Sequence, residues 1–383
     1  MDLSDAFSRC YAGRRVLVTG HTGFKGSWLA MWLECLGAQV IGLALPADSE
    51  PSHHAILGLA QEEYLVDLRD ARAVRQAVTG SAPEVVFHLA AQPLVRRGYR
   101  EPALTFETNV QGTVNLLEAV RSTRSVRAVV VVTTDKCYQP NEGPWGYRES
   151  DPLGGPDPYS ASKACAELVT ASYRASFMNA DDGRGHRVLM ASARAGNVIG
   201  GGDWAADRLV PDLVRAALSG VPVPIRYPHA VRPWQHVLEP LGGYLLLGQR
   251  LLEGAADCAQ AWNFGPAMGD AWPVSRVVET FSREWPQAAA RYQTDPSGPH
   301  EATALRLDCA KAELALDWQP VWRLDQALMR TARWYRGWHG AGEVSSMDDL
   351  TGYLTEARRL GRAWAAPFAS APASLAATVF EAA

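Results

Sequence analysis

Along the first half of the chain, apolar positions alternate between a strand-like and a helix-like period. Val16-Leu17-Val18 is a short aliphatic run that stops at Thr19-Gly20. Beyond it Phe24, Trp28, Leu29, Trp32, Leu33 and Leu36 recur at helical spacing, and Gly37 ends that helix. Residues 40–45 are a second apolar strand, so the region opens with a strand–helix–strand unit. Further strands are predicted at 64–66, 85–89, 126–133 and 188–195, and helices at 71–78, 102–122 and 159–177. The stretch 128–132 is unbroken apolar, as in a strand buried on both faces. Strands alternating with helices predict an α/β chain with a doubly wound parallel sheet.

After about Gly196 the texture changes. Gly200-Gly201-Gly202 and Pro222, Pro224, Pro228 and Pro233 punctuate shorter elements. Helical patterns persist at 209–218, 238–252 and 324–338. The expected organisation is a Rossmann domain at 1–195, completed by about 229–252, and a smaller α/β substrate-binding domain from 196–228 and 253–364. The Ala-, Ser- and Pro-rich stretch 365–383 reads as a flexible tail.

Composition narrows the classes. Of 383 residues, 47% are hydrophobic and 20% charged, enough apolar content for a sizeable core. The net charge is −4, so nothing draws the whole molecule to nucleic acid or anionic membrane, and phosphate binding must arise from local geometry. The six cysteines are scattered and form no C-x-x-C pair, which reads as free thiols in a reducing compartment. His53-His54 is the only close histidine pair, and adjacent positions do not share a helix face, so no metal site is expected. Residues 1–15 have no apolar segment of the secretory kind, and no run reaches the ~18 apolar residues of a membrane span. A cytoplasmic protein is expected.

The chemistry begins at Gly20-His-Thr-Gly23-Phe-Lys-Gly26, a G-x-x-G-x-x-G turn between a predicted strand and helix. Gly20 permits a tight turn, Gly23 lets backbone approach a pyrophosphate, and Gly26 lets the helix pack on the strand. The helix N-terminus then offers free N–H groups to phosphate. The strand that follows ends Leu43-Ala44-Leu45-Pro46, with neither the acid that would favour NAD nor an arginine for a 2′-phosphate. Asp67-Leu68, after the third strand, reads either as an adenine contact or as a plain turn. Thr134-Asp135-Lys136 leaves the end of a central strand, where α/β ligand crevices lie. Tyr159 and Lys163, four apart, share one helix face. The cation is expected to lower the phenol pKa and make the tyrosine a base.

Taken together, the glycine turn, Asp67-Leu68, Leu89-Ala90-Ala91, Asn109, Thr134 and Tyr159-x-x-x-Lys163 resemble the extended short-chain dehydrogenase/reductase family over roughly 13–340. Longer strings resemble the branch that dehydrates CDP-linked glucose: Val18 to Leu29, Thr134-Asp-Lys-Cys-Tyr138, Trp145-Gly-Tyr-Arg-Glu149, Gly196 to Trp204, and Arg232-Pro-Trp-Gln-His-Val237. The resemblance implies NAD as cofactor, held by Gly20, Thr22, Gly23, Phe24, Lys25, Gly26, Asp67, Leu68, Leu89, Ala90, Ala91, Tyr159 and Lys163. It implies a nucleotide sugar, CDP-glucose, held by Gln92, Asn197, Arg208, Arg226, Arg232 and His300, with Glu301 nearby. It implies oxidation at C4, elimination across C5–C6 with Asp135 as acid and Lys136 as base, and hydride return to C6. Many sugar 4,6-dehydratases carry Asp and Glu at those two positions. Gly98 stands where relatives often carry Ser, in a loop bordering the sugar. A homodimer or dimer of dimers through 102–122 and 159–177 is also implied, as is a place in deoxysugar biosynthesis. Another 4,6-dehydratase, a 4-epimerase, or a non-catalytic dinucleotide sensor remain alternatives.

Overall fold

The computed structural model describes residues 3–59, 61–141, 143, 145–178, 187–292 and 305–367. Seven strands make one parallel sheet: β1 (Arg15–Thr19), β2 (Gln39–Ala44), β3 (Glu62–Leu65), β4 (Val85–His88), β5 (Ala128–Val132), β6 (Leu189–Ala195) and β7 (Ala261–Phe264). Their order is β7-β6-β5-β4-β1-β2-β3. The order reverses between β1 and β4, and ligand crevices of such sheets open at the carboxyl ends of the strands flanking that point. The doubly wound parallel sheet read from the sequence is the one that forms.

The strand period of two divides the core. Val16, Val18, Phe87, Val130 and Val132 face one side, against Trp28, Leu29 and Trp32 of helix α1 (Phe24–Cys35). Leu17, Ile41, Val86, Val129 and Val131 face the other, against helix α2 (Ala71–Ser81) and helix α3 (Gly112–Arg121). Helix α4 (Pro158–Ser176) follows β5, and helix α5 (Leu209–Ser219) opens the smaller lobe. Helix α6 (Leu238–Leu252) is buried along almost its whole length against the first side of the sheet. A third core of Val210, Leu213, Val277, Phe281, Leu328 and Trp334 holds the smaller lobe together.

Two local expectations change. The single helix read over 102–122 forms without a break but carries a π-turn at Glu107–Gln111 between Pro102–Phe106 and α3. The wider turn carries Asn109 into the interior, where its amide donates to Ser162 Oγ at 2.8 Å and to the Gln92 carbonyl at 3.1 Å. The second change concerns Ala261–Phe264, assigned by sequence to the smaller domain. It pairs with β6 and closes the sheet edge, because a strand of four residues carries too little pattern to reveal its partner.

Candidate active site

The turn after β1 is built by steric need. Gly20 sits at φ +77°, and a Cβ there would meet the Ala90 backbone at 2.8 Å. A Cβ on Gly26 would stand 2.0 Å from the Gly20 carbonyl oxygen, so only glycine lets α1 start this close to β1. Gly23 is the N-cap of α1 and supplies no side-chain cap, leaving first-turn N–H groups for an anion. Thr19 Oγ1 accepts from the Leu89 and Ala90 amides at 3.1 Å, which fixes the 89–91 loop against the turn. A cavity of about 1320 Å³ opens here. Gly20, Thr22, Gly23, Phe24, Lys25, Gly26, Asp67, Leu68, Leu89, Ala90 and Ala91 all line it. These residues fit a dinucleotide: close backbone, an uncapped helix start and a cleft at the switch point. Asp67 is held by Arg69 at 2.6 Å while facing the cavity.

Thr134, Asp135, Lys136, Tyr159 and Lys163 line the same cavity. Thr134 caps the short helix Asp135–Cys137, and its hydroxyl donates to Asp135 Oδ1 at 3.0 Å. The same hydroxyl pulls the Tyr159 phenol pKa down. Asp135 is 1% exposed, and its Oδ2 has no hydrogen-bond partner. Burial raises its pKa, against the pull of the Lys136, Arg232 and Lys25 charges. A buried carboxyl held toward its neutral form is an acid in waiting. No Asp135–Lys136 ion pair forms among the described residues.

The pairing of Tyr159 with Lys163 differs from expectation. Burial pushes the phenol up to about 12, and the Thr134 hydroxyl and Arg208 charge pull against it. Lys163 Nζ donates to the Val132 carbonyl at 3.2 Å instead of meeting the phenol. Burial lowers its ammonium to about 8, with Glu167 opposing. The i,i+4 spacing thus puts both groups on one face, but the ammonium bonds the adjoining strand. Lys25 also reaches in, its Nζ 6.0 Å from the Tyr244 ring centre, and burial followed by the Arg208 charge lowers it to about 7.

The far wall carries Asn197, Arg208, Arg226 and Arg232. Arg208 pairs with Asp203 at 2.9 Å, and Arg232 is buried. His300 and Glu301 lie outside the described residues. Gln92 also lines the cavity. Its Nε2 donates to Thr105 at 2.9 Å and its Oε1 accepts from the Leu94 amide at 2.6 Å, so the side chain shapes its own loop as well. Gly98 packs on α4, where an added Cβ would stand 3.2 Å from the Tyr159 amide nitrogen.

Sequence reading missed two features. Asp48 lines the cavity from the loop after β2, four residues beyond the strand end where an acid was sought. Beneath the site, Glu167 is buried and accepts from Thr133 at 2.5 Å, Ser192 at 2.7 Å and Arg194 at 2.9 Å. Glu167 lies one turn beyond Lys163, a spacing that could have marked it.

The chain is similar to known proteins along most of its length. The model of the NAD dependent epimerase/dehydratase family matches residues 16–258. The chain is 47% identical over 353 residues to CDP-glucose 4,6-dehydratase of Salmonella typhimurium, covering 91% of this chain and 98% of that enzyme. It is 28% identical over 335 residues to a dTDP-glucose 4,6-dehydratase of Streptomyces griseus, covering 84% and 95%. A solved dTDP-glucose 4,6-dehydratase of Streptomyces venezuelae with NAD and TYD bound superposes at TM-score 0.72 and 27% identity, covering 85% and 98%. The family match starts in β1 and runs to the segment before β7, and the chain belongs to the NAD dependent epimerase/dehydratase family.

Proposed function

We propose that the chain is an NAD-dependent 4,6-dehydratase that converts CDP-D-glucose to CDP-4-keto-6-deoxy-D-glucose and water. The observation that carries the dehydration is Asp135, a buried carboxyl with an unpartnered oxygen in the same cavity as Tyr159. A 4-epimerase of the same family needs no such acid.

In its phenolate form Tyr159 takes the proton of the sugar 4-hydroxyl, and the Thr134 hydroxyl and the Arg208 charge favour that form against burial. A nicotinamide held by the glycine turn and the 89–91 loop would supply the hydride chemistry, accepting from C4 and returning to C6. The 4-ketone acidifies C5–H, which Lys136, acting as the neutral amine, removes while Asp135 protonates the departing 6-hydroxyl. Lys136 then returns its proton to C5. Tyr159 has gained one proton and Asp135 has lost one, so one proton passes from Tyr159 back to Asp135 to reset the site. Arg208 and Arg232 suit the diphosphate, because a planar guanidinium matches phosphate oxygens. Because the hydride would be returned, NAD would not need to leave between turnovers.

CDP as the nucleotide rests on the 47% relative. The test incubates the protein with CDP-, UDP- and dTDP-glucose and reads loss of one water by mass. Conversion of CDP-glucose is expected; conversion of another sugar nucleotide alone would overturn the specificity. Tight NAD binding with no turnover of any would favour a sensor. No helix among the described residues is long and apolar enough to cross a membrane. Work inside the cytoplasm and pairing of two copies through 102–122 and α4 complete the proposal. Leu168, 59% exposed on α4, and Phe106, 36% exposed, offer the apolar surface for that pairing.

A further inference from the structure

The turn after β1, the short helix His53–Leu57 and β3 bring together three donors that no sequence spacing links. His21 Nε2 lies 3.3 Å from Glu63 Oε1, and His54 Nε2 lies 2.9 Å from the same oxygen. The rings meet edge-on with centres 5.1 Å apart, and all three donor atoms fall within 4.8 Å of one another. His21 is 0% exposed, and neither ring nitrogen makes a hydrogen bond of proper geometry. Its Nε2 is close to the carboxylate but off the line a hydrogen bond requires. The ring packs on Gly42, where an added Cβ would meet three of its atoms at 2.5 Å. A fully buried imidazole without a partner is costly unless something satisfies it.

We propose that His21, His54 and Glu63 hold one divalent cation of the zinc class, with a fourth position open to water. Two imidazoles and a carboxylate are a recognised zinc donor set. Tetrahedral bonds of about 2.0–2.2 Å place donor atoms roughly 3.4 Å apart. The His21–Glu63 spacing of 3.3 Å meets that. The His54–Glu63 pair must open by about half an ångström on binding. His54 can provide this, since its side chain is 17% exposed and sits on a five-residue helix. None of the three residues lines the cavity, so the ion joins no chemistry there. It braces the dinucleotide turn to β3. The sequence expectation of no metal site rested on His53-His54, but the structure recruits His54 alone, with His21 and Glu63 from other elements.

The test strips the purified full chain with chelator, reloads it with zinc sulfate or cobalt chloride, removes the excess and measures bound metal. About one zinc per chain is expected, with a raised melting temperature and the strong visible bands of four-coordinate cobalt. Glu63→Gln keeps the side-chain size and His54→Ala removes a partly exposed ring. Each is expected to lower bound zinc at least about tenfold and abolish the melting shift. Circular dichroism checks that both variants fold. Wild-type protein that takes up less than about a tenth of an equivalent, or variants that bind as much as wild type, would overturn the site.

Discussion

Asp135 is where a single atom separates two chemistries. Asp135→Asn keeps the size of the group and its bond to Thr134 but removes the transferable proton. The variant is expected to oxidise C4 and accumulate reduced cofactor absorbance, while water loss falls about 10²–10⁴-fold. Simultaneous loss of both steps would count against Asp135 as the acid. Residues of this kind were legible because they sit in contiguous strings: Thr134-Asp135-Lys136 after a buried strand, and Tyr159 four before Lys163. Their partners were not. The Val132 carbonyl that binds Lys163 and the Thr105 hydroxyl that binds Gln92 come from other elements, and only packing brings them close.

At the scale of elements, Glu167 ties α4 to β6 through Arg194 and Ser192, and to Thr133 at the end of β5. Glu167→Ala leaves the Arg194 charge buried and is expected to cost about 3–5 kcal/mol, read as a lowered denaturation midpoint. Glu239 performs a similar service for the C-terminal segment. It accepts from the Val321 and Trp322 amides at 2.9 and 2.7 Å and from the Tyr353 hydroxyl at 2.9 Å. Burial nonetheless raises its carboxyl to about 7 from 4.5. With the folded pKa above the unfolded one, its stabilising contribution is full below about pH 4.5 and is lost as pH rises through about 7. The stability of Glu239→Gln relative to wild type should therefore climb by about 1.4 kcal/mol per pH unit between pH 5 and 7, then level off. A difference independent of pH would refute the raised carboxyl. The helices and strands themselves were largely readable from periodicity. The π-turn at Glu107–Gln111 was not, because an inserted residue hardly disturbs an apolar stripe while it redirects Asn109.

For the whole molecule, the doubly wound sheet was legible because each strand–helix pair announces itself locally. The late strand Ala261–Phe264 was hidden, since its place depends on a partner 60–70 positions earlier. Assembly beyond one chain leaves a measurable mark. Leu168→Arg places a charge on the exposed face of α4 and is expected to shift the protein from dimer to monomer by light scattering. An unchanged mass would exclude that face from the interface.

The edge closed by β7 has a consequence for synthesis. When the ribosome has released everything through β6, the sheet still has a bare rim of unpaired amides and carbonyls, and α6 has yet to cover its apolar face. That nascent intermediate is sticky toward other strands. A stop codon anywhere between Ala195 and Phe264 should therefore yield insoluble polypeptide, not a free-standing cofactor domain.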